Sequence, residues 1–231
     1  MRRVAVLQSN YLPWKGYFDI IHRVDVFVFY DDVQYTKNDW RNRNRIKTPQ
    51  GSQWLTVPVG ASLDRLVCDV TIPDVHWQQK HYKTLTQCYA RAPHFDLLAG
   101  FLQDTFLEQQ WQSLSQLNQH LIRTISRDFL NITTEFRDSR EFAPDGRKAD
   151  RLLDLLQKMK AEHYLSGPSA RGYIDEAAFN AAGIQLEYMD YGHYAEYPQL
   201  FPPFDHYVSV LDLLFMTGRD APQMIWGGAK S

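Results

Sequence analysis

Two short apolar segments near the start of the chain are separated by an amphipathic one. Residues 3–9 read RVAVLQS and residues 25–33 read DVFVFYDDV, and such runs of β-branched and aromatic residues are typical of buried strands. Between them, the apolar positions of GYFDIIHRV (16–24) predict a short helix. Strand, helix and strand within about thirty residues indicate a βαβ unit with a right-handed crossover.

The rest of the chain continues this alternation. Further strands are predicted at 52–59, 65–72, 132–139, 162–167 and 184–191, and further helices at 146–161, 173–183 and 208–218. At 75–130 apolar residues recur every three or four positions, which predicts helices. We therefore expect an α/β protein whose mainly parallel, Rossmann-like sheet is flanked by helices, with a helical insertion at about 75–130. A single domain, 1–231, is expected, with 75–130 as a candidate helical subdomain.

Composition and charge narrow the class of protein. The chain has 231 residues, is 44% hydrophobic and has a formal net charge of −2, which argues against a general nucleic-acid binder. No run approaches the ~20 apolar residues of a membrane span. The first apolar run ends at Gln8, too soon for the core of a signal peptide. Cys68 and Cys88 have no metal or redox spacing, so we expect a cytoplasmic protein with reduced cysteines.

The common catalytic motifs are absent from the sequence. It contains neither GxxxxGK[ST] nor GxGxxG, which argues against P-loop and dinucleotide chemistry, and no GxSxG nucleophile elbow. Its eight histidines form no HExxH or other zinc spacing. The sequence therefore indicates no metal and leaves the cofactor unknown.

One segment, YTKNDWRNRNRIK at residues 35–47, concentrates cations, rings and amides, and we call it the basic segment. Its members are Lys37, Arg41, Arg43, Arg45 and Lys47, with Tyr35, Trp40, Asn38, Asn42 and Asn44 among them and one acid, Asp39. It follows the second strand directly, at the carboxyl edge of the sheet where open α/β folds bind ligands. The alternative is a solvated loop whose cations pair with nearby aspartates.

Each residue type in this segment suits part of a nucleotide sugar. Arginine forks bind phosphate or carboxylate, amides bind hydroxyl groups, and aromatic faces stack on sugars or bases. We therefore predict a small anionic ligand, a nucleotide sugar, bound near the polar ends of the first two strands. Its predicted contacts outside the basic segment are Gln8, Asn10, Tyr11, Trp14, Lys15 and Tyr17.

Three residues are candidates for proton transfer, and each has a simpler alternative. Asp32 ends the second strand, where it could instead pair with an arginine. His81 has polar and aromatic neighbours in sequence, but a single histidine is more often structural. Ser166 follows a predicted strand, and Ser166-Gly167 is also a common turn.

The segment LQSNYLPWKGYFDIIHRVDVFVFYDDVQYTKNDWRNRNRIK (7–47) closely resembles the start of the WbqC-like protein family. Further resemblance lies in WLTVPV, HWQQKHYKTLTQCYARAPHF, YLSGPSARGYI, GIQLEYMDY and LDLLFMTG, and covers nearly the whole chain. The resemblance implies a bacterial protein of O-antigen or other surface-polysaccharide clusters. It further implies a transferase that adds an amino acid or acyl group to an activated amino sugar, with an acyl or aminoacyl carrier as a candidate partner. It implies no catalytic residues.

The first βαβ unit also resembles the opening of nucleotidylyltransferases and pantothenate synthetases. Those enzymes have His-x-Gly-His at the start of the first helix, where this chain has Trp14-Lys15-Gly16-Tyr17. The glycine is kept, and both histidines that would stabilise a triphosphate are replaced. Adenylyl transfer and a non-catalytic role in binding a carrier or biosynthetic partner are therefore the alternatives to the transferase.

Overall fold

A computed structural model describes residues 1–74, 76–172 and 174–227. Its strands are β1 (Arg3–Leu7), β2 (Val26–Phe29), β3 (Arg43–Thr48), β4 (Gly51–Thr56), β5 (Glu135–Asp138), β6 (His163–Ser166) and β7 (Gln185–Tyr188). Its α-helices are α1 (Lys15–His22), α2 (His76–Tyr89), α3 (Phe95–Gln103), α4 (Leu114–Thr124), α5 (Lys148–Lys158), α6 (Glu176–Ala181), α7 (Val210–Thr217) and α8 (Ala221–Trp226).

The main sheet has five strands in the order β5-β2-β1-β6-β7, and every neighbouring pair is parallel. In β1 and β2 the register runs from Val4 opposite Val26 to Leu7 opposite Phe29. The chain builds the sheet outward from β1 on one side, then returns through α5 to place β6 on the other. The order therefore reverses between β1 and β6. The predicted α/β class with a mainly parallel, Rossmann-like sheet is confirmed.

The two faces of the sheet bury alternate side chains of the same strands. Val4, Val6, Val26 and Val28 pack in one hydrophobic cluster with the apolar face of α5. Ala5, Phe27 and Phe29 lie in the other cluster, which includes residues of α1 and of α2 to α4. Strands covered on both faces need continuous apolar sequence, which explains the two runs that predicted them.

Helices α2, α3 and α4 lie between the hairpin β3–β4 and strand β5, as predicted for 75–130. Two of them end in a π turn, Asp104–Glu108 after α3 and Ile125–Phe129 after α4. Among the described residues, no helix is long and apolar enough to cross a bilayer.

Two predictions of local structure were wrong. Residues 65–72 form no strand; they contain a 3₁₀ turn at Val67–Asp69, flanked by isolated bridges from Leu66 to Gln34 and from Thr71 to Ser113. The second half of the basic segment, for which no strand was predicted, is β3. It pairs antiparallel with β4 in a hairpin outside the main sheet, and Gly51, with φ of 106°, closes the turn.

Candidate functional site

A cavity of about 520 Å³ opens where the carboxyl ends of β1 and β6 diverge, and we call it the switch-point crevice. Leu7 and Gln8 line it from the end of β1, Ser166 and Gly167 from the end of β6, and Lys148 from the start of α5. Open α/β sheets bind ligands at this reversal of strand order. The volume also falls within the ~300–1,000 Å³ usual for small-molecule sites.

Hydroxyl, amide and cationic groups surround the crevice. The Ser166 hydroxyl donates to the Tyr164 hydroxyl at 3.3 Å and is buried, while Ser169 lines the wall from the following 3₁₀ turn. The exposed Lys148 is the first residue of α5 and has a left-handed backbone with φ of 52°, which costs roughly 1–2 kcal/mol outside glycine.

Asp32 is held in an ion pair beside the crevice. Its carboxylate lies 2.6 Å from Nη2 of Arg151 on α5 and also accepts from the Ser139 hydroxyl. The guanidinium of Arg151 lies 5.3 Å from the ring of Tyr30, which lines the crevice. Hydrogen bonding to Asp32 raises the pKa of Arg151. The alternative considered for Asp32, pairing with an arginine, is therefore present, although the partner lies outside the basic segment.

The neighbouring Asp31 is buried and joins three elements. It accepts from the backbone N–H of Ser9 at 2.7 Å and from the side chains of Ser115 and Gln119 on α4. Burial raises the pKa of Asp31, although these hydrogen bonds favour its ionised form. It fixes the loop after β1 against the helical insertion.

His81 lies away from the crevice, in α2, at the wall of a groove between α2 and β4. Its Nδ1 is 2.8 Å from the hydroxyl oxygen of Tyr11, and its ring also hydrogen-bonds to the backbone of Thr56. Burial lowers the pKa of His81 to about 4. The neutral ring thus joins the loop after β1 to the hairpin, and proton transfer in the crevice would need a different group.

The arginines of the basic segment are engaged with neighbouring groups. Arg41 Nη1 lies 2.6 Å from Asp39, and its Nη2 donates to the Gln8 side chain at 2.7 Å. Arg43 donates to the Asn38 carbonyl, and its guanidinium lies 4.2 Å from the Trp54 ring. Arg45 pairs with Asp205 at 3.6 Å and donates to the Tyr207 carbonyl at 3.2 Å. Arg41 and Arg45 are therefore paired with carboxylates, whereas Arg43 contacts a carbonyl and a ring.

The amides and lysines of the basic segment are mostly structural. Asn42 donates to the Val57 carbonyl at 3.0 Å and Asn44 to the Leu12 carbonyl at 2.7 Å, and both are buried. Lys47 is buried and donates to the Pro203 carbonyl, whereas Lys37 is exposed. These bonds attach the hairpin to the loop after β1 and to the irregular segment before α7.

Three of the predicted tyrosines are also buried. Tyr17 donates to the Gln8 carbonyl at 2.9 Å, Tyr35 packs under the guanidinium of Arg65, and Tyr11 bonds to His81 as described. The contacts of Tyr11 and Tyr17 position the loop that carries Gln8, whereas Tyr35 is held by Arg65.

Lys15 is also buried, and it is enclosed by aromatic rings. Its ammonium group lies 2.8 Å from Nδ1 of His206 and 5.2–5.5 Å from the rings of Tyr194, Tyr197 and Phe204. Burial lowers the pKa of Lys15 to about 8, although Asp212 and other acids oppose the shift. It is not among the residues that line the crevice.

Four of the predicted binding residues meet at a second, smaller cavity of about 230 Å³, which we call the aromatic cavity. It is lined by Asn10, Pro13, Trp14, Trp40, Asn44 and Tyr207. The sequence therefore predicted residues of two cavities as one site, since Gln8 and Ser166 line the crevice instead.

Several of the lining residues were not predicted from the sequence. Among these are Lys148, Tyr30 and Ser169 of the crevice and Tyr207 of the aromatic cavity. Lys148 had a usable signal, because a helix that leads from one parallel strand to the next begins at the carboxyl edge of the sheet. Among the described residues, no group of three or more His, Cys, Asp or Glu side chains is arranged to hold a metal ion.

The model of the WbqC-like protein family matches residues 8–224. The chain belongs to the WbqC-like protein family. A relative from Mycobacterium tuberculosis, named uncharacterized protein Rv1507c, is 44% identical over 227 residues, which is 97% of this chain and 98% of that protein. No solved structure matches the chain. The WbqC-like match extends from Gln8 to beyond Tyr207 and so includes the residues that line both cavities, apart from Val6 and Leu7 of the crevice.

In this WbqC-like chain, the packing of a neighbouring side chain explains why residue 16 is a glycine. A Cβ at this position would collide with the indole ring of Trp14, which packs directly against the glycine. Trp14 in turn forms a wall of the aromatic cavity. The glycine shared with nucleotidylyltransferases is therefore explained here by the packing of Trp14 and needs no nucleotide.

Proposed function

We propose that this WbqC-like protein is a transferase that modifies a nucleotide-activated amino sugar by acyl or aminoacyl transfer, with the nucleotide part of the substrate in the switch-point crevice. The observation that carries the proposal is the crevice itself, about 520 Å³ at the reversal of strand order, with Lys148 at its edge and the Gln8 amide and Ser166 hydroxyl in its wall.

The polar groups of the crevice suit a diphosphate. The first residues of α5, Lys148 and Ala149, line it, and backbone N–H groups at a helix start attract anions. The ammonium of Lys148 adds a full positive charge at the same place. Arg41 is hydrogen-bonded to Gln8, which lines the crevice, and so lies close to it, with its charge paired to Asp39.

The proposed transfer forms a C–N bond between the sugar amine and the acyl carbon. It breaks the bond from that carbon to its carrier, and the departing carrier group takes up the proton that the amine releases. Of the three candidates for proton transfer, Ser166 lines the crevice, whereas Asp32 and His81 are engaged in other contacts. We assign Ser166 the role of hydrogen-bonding the substrate.

A binding screen tests the proposal. Purified protein is titrated with UDP- and dTDP-amino sugars in a thermal-shift assay, and a ligand at ~100 times its Kd adds about 2.7 kcal/mol of stability. We expect a shift with at least one amino-sugar nucleotide, and its loss in Lys148→Ala. Lys160→Ala, beyond the other end of α5, is the matched control and should keep the shift. Absence of a shift across the nucleotide panel would overturn the proposal.

The same screen separates the alternatives. ATP with Mg²⁺ probes adenylyl transfer, which the enclosure of Lys15 by His206 and three rings does not favour. A ligand found in the screen is then incubated with acyl-CoA and aminoacyl donors. Binding of the nucleotide sugar without formation of an acylated product would indicate a binding protein and not a transferase.

A further inference from the structure

The aromatic cavity collects the most exposed aromatic side chains among the described residues. Tyr207 is 60% exposed and Trp40 is 41% exposed, and both line the cavity. Trp54, 40% exposed, does not line the cavity but contacts Trp40, with 5.4 Å between the two ring centroids. Large aromatic rings that remain exposed together on a surface indicate a binding site.

Contacts within the protein hold the walls of the cavity in place. The backbone N–H of Tyr11 donates to the Trp40 carbonyl at 2.9 Å, which ties the loop after β1 to the basic segment. Trp14 packs against Tyr207 at 5.4 Å and against Tyr191 at 5.1 Å between ring centroids. A ligand therefore meets a preformed surface, which lowers the cost of ordering side chains on binding.

We propose that the aromatic cavity binds one pyranose ring of a carbohydrate, at a site separate from the switch-point crevice. Its volume of about 230 Å³ is below the ~300–1,000 Å³ of sites for larger ligands, so it suits a single ring. The C–H groups of a pyranose pack on aromatic faces, and the side chain of Asn10 supplies both a donor and an acceptor for hydroxyl groups.

Two observations favour a neutral sugar over a phosphate or a nucleobase. No cationic side chain is among the residues that line the cavity, and the nearby guanidinium groups are engaged elsewhere, Arg43 at the Asn38 carbonyl and Trp54 ring and Arg45 at Asp205. The neighbouring rings are inclined by 36° and 41° in the Trp14–Tyr207 and Trp40–Trp54 pairs. Parallel rings that would sandwich a flat base are absent from these pairs.

This site goes beyond the proposed function and stands on different residues. The loop after β1 serves both cavities, with Gln8 in the crevice and Asn10, two residues on, in the aromatic cavity. The aromatic cavity would remain a carbohydrate site even if the crevice binds no nucleotide.

The test uses saturation-transfer NMR and calorimetry on the whole chain. The probes are methyl glycosides of glucose, galactose, rhamnose and N-acetylglucosamine, together with chitobiose, at about 10 mM, which detects millimolar binding. We expect binding of at least one probe and a loss of affinity of about tenfold or more in Trp40→Ala and in Tyr207→Ala. Trp40→Phe should recover part of the affinity because it restores a ring.

Control variants keep the result interpretable. Trp226→Ala removes a ring that stacks on His22 and is not among the residues that line the cavity, and it should bind saccharides as the unchanged protein does. All variants are checked for an unchanged melting temperature. No binding of any saccharide, binding unaffected by Trp40→Ala and Tyr207→Ala, or competition by uridine or adenosine instead of by sugars would each overturn the proposal. Failure of nucleotide binding in the Lys148 experiment would not affect it.

Discussion

The hydroxyl oxygen of Tyr11 lies 2.8 Å from Nδ1 of His81, and both side chains are buried. Tyr11 belongs to the loop after β1 and His81 to α2, which are 70 residues apart in sequence. The bond therefore joins the loop that carries Gln8 and Asn10 to the helical insertion. Because this buried histidine has a lowered pKa, the free energy of unfolding should depend on pH.

His81 should make the protein less stable in acid. Its pKa is about 4 in the folded protein, below the ordinary value of 6.5, so between these values the unfolded chain binds more protons. Stability is then lost as the pH falls from 6.5 towards 4, by at most about 1.4 kcal/mol per pH unit from this group. His81→Gln should show a shallower acid slope in urea unfolding at pH 7, 6 and 5. Parallel pH profiles of the two proteins would contradict this account.

Lys15 should affect stability in the alkaline range. Burial lowers its folded pKa to about 8 from the ordinary 10.5, so between these values the unfolded chain again binds more protons. Its contribution to stability therefore rises from pH 8 to pH 10 and is constant below pH 8. Relative to Lys15→Met, in which this rise is absent, the unchanged protein should gain free energy of unfolding over that range. A constant difference between the two would show that Lys15 has its ordinary pKa.

The main sheet was predictable because its central strands are buried on both faces. Continuous apolar runs mark β1 and β2 unambiguously, and the carboxyl-edge rule then places Gln8 and Ser166 near a ligand site. β3 was not predicted, because Asn44 occupies an inward position where an apolar residue is expected. Its partners are the carbonyls of Tyr11 and Leu12, more than thirty residues earlier, which no local pattern reveals.

The division of the candidate site into two cavities could not be predicted from the sequence either. Charge and aromatic density made residues 35–47 look like one binding loop, whereas Arg41, Asn42 and Lys47 hydrogen-bond to other parts of the fold. Tyr207 comes from an irregular segment without hydrophobic periodicity, so only tertiary structure brings it to Trp14. Sequence identifies chemical groups, and long-range hydrogen bonds decide which of them remain available.

Asp212 should be essential for stability. This buried carboxylate of α7 accepts from the hydroxyls of Tyr89 and Tyr197, each at 2.8 Å, and from the amide of Gln199 at 2.8 Å. In Asp212→Asn an NH2 group replaces one of the two acceptor oxygens, so at least one of these buried donors loses its acceptor, and we expect a loss of about 3 kcal/mol. Asp220→Asn, at an exposed position, is the control and should change stability by less than about 0.5 kcal/mol in chemical denaturation. Similar losses in both variants would refute the role of this network.

Gly16→Ala should distort the aromatic cavity and destabilise the protein. The added Cβ would overlap the Trp14 indole ring, and because that ring also contacts Tyr191, Tyr194 and Tyr207 it cannot move freely. Overpacking of this kind costs about 1–3 kcal/mol. Gly100→Ala is the matched control, since it lies in α3 with open space around its Cβ and should stabilise that helix by up to about 1 kcal/mol. In thermal unfolding the melting temperature should fall for Gly16→Ala and rise for Gly100→Ala. Near-ultraviolet circular dichroism should report the displacement of the Trp14 ring. A Gly16→Ala protein with unchanged melting temperature and aromatic spectrum would mean that Trp14 does not pack against Gly16.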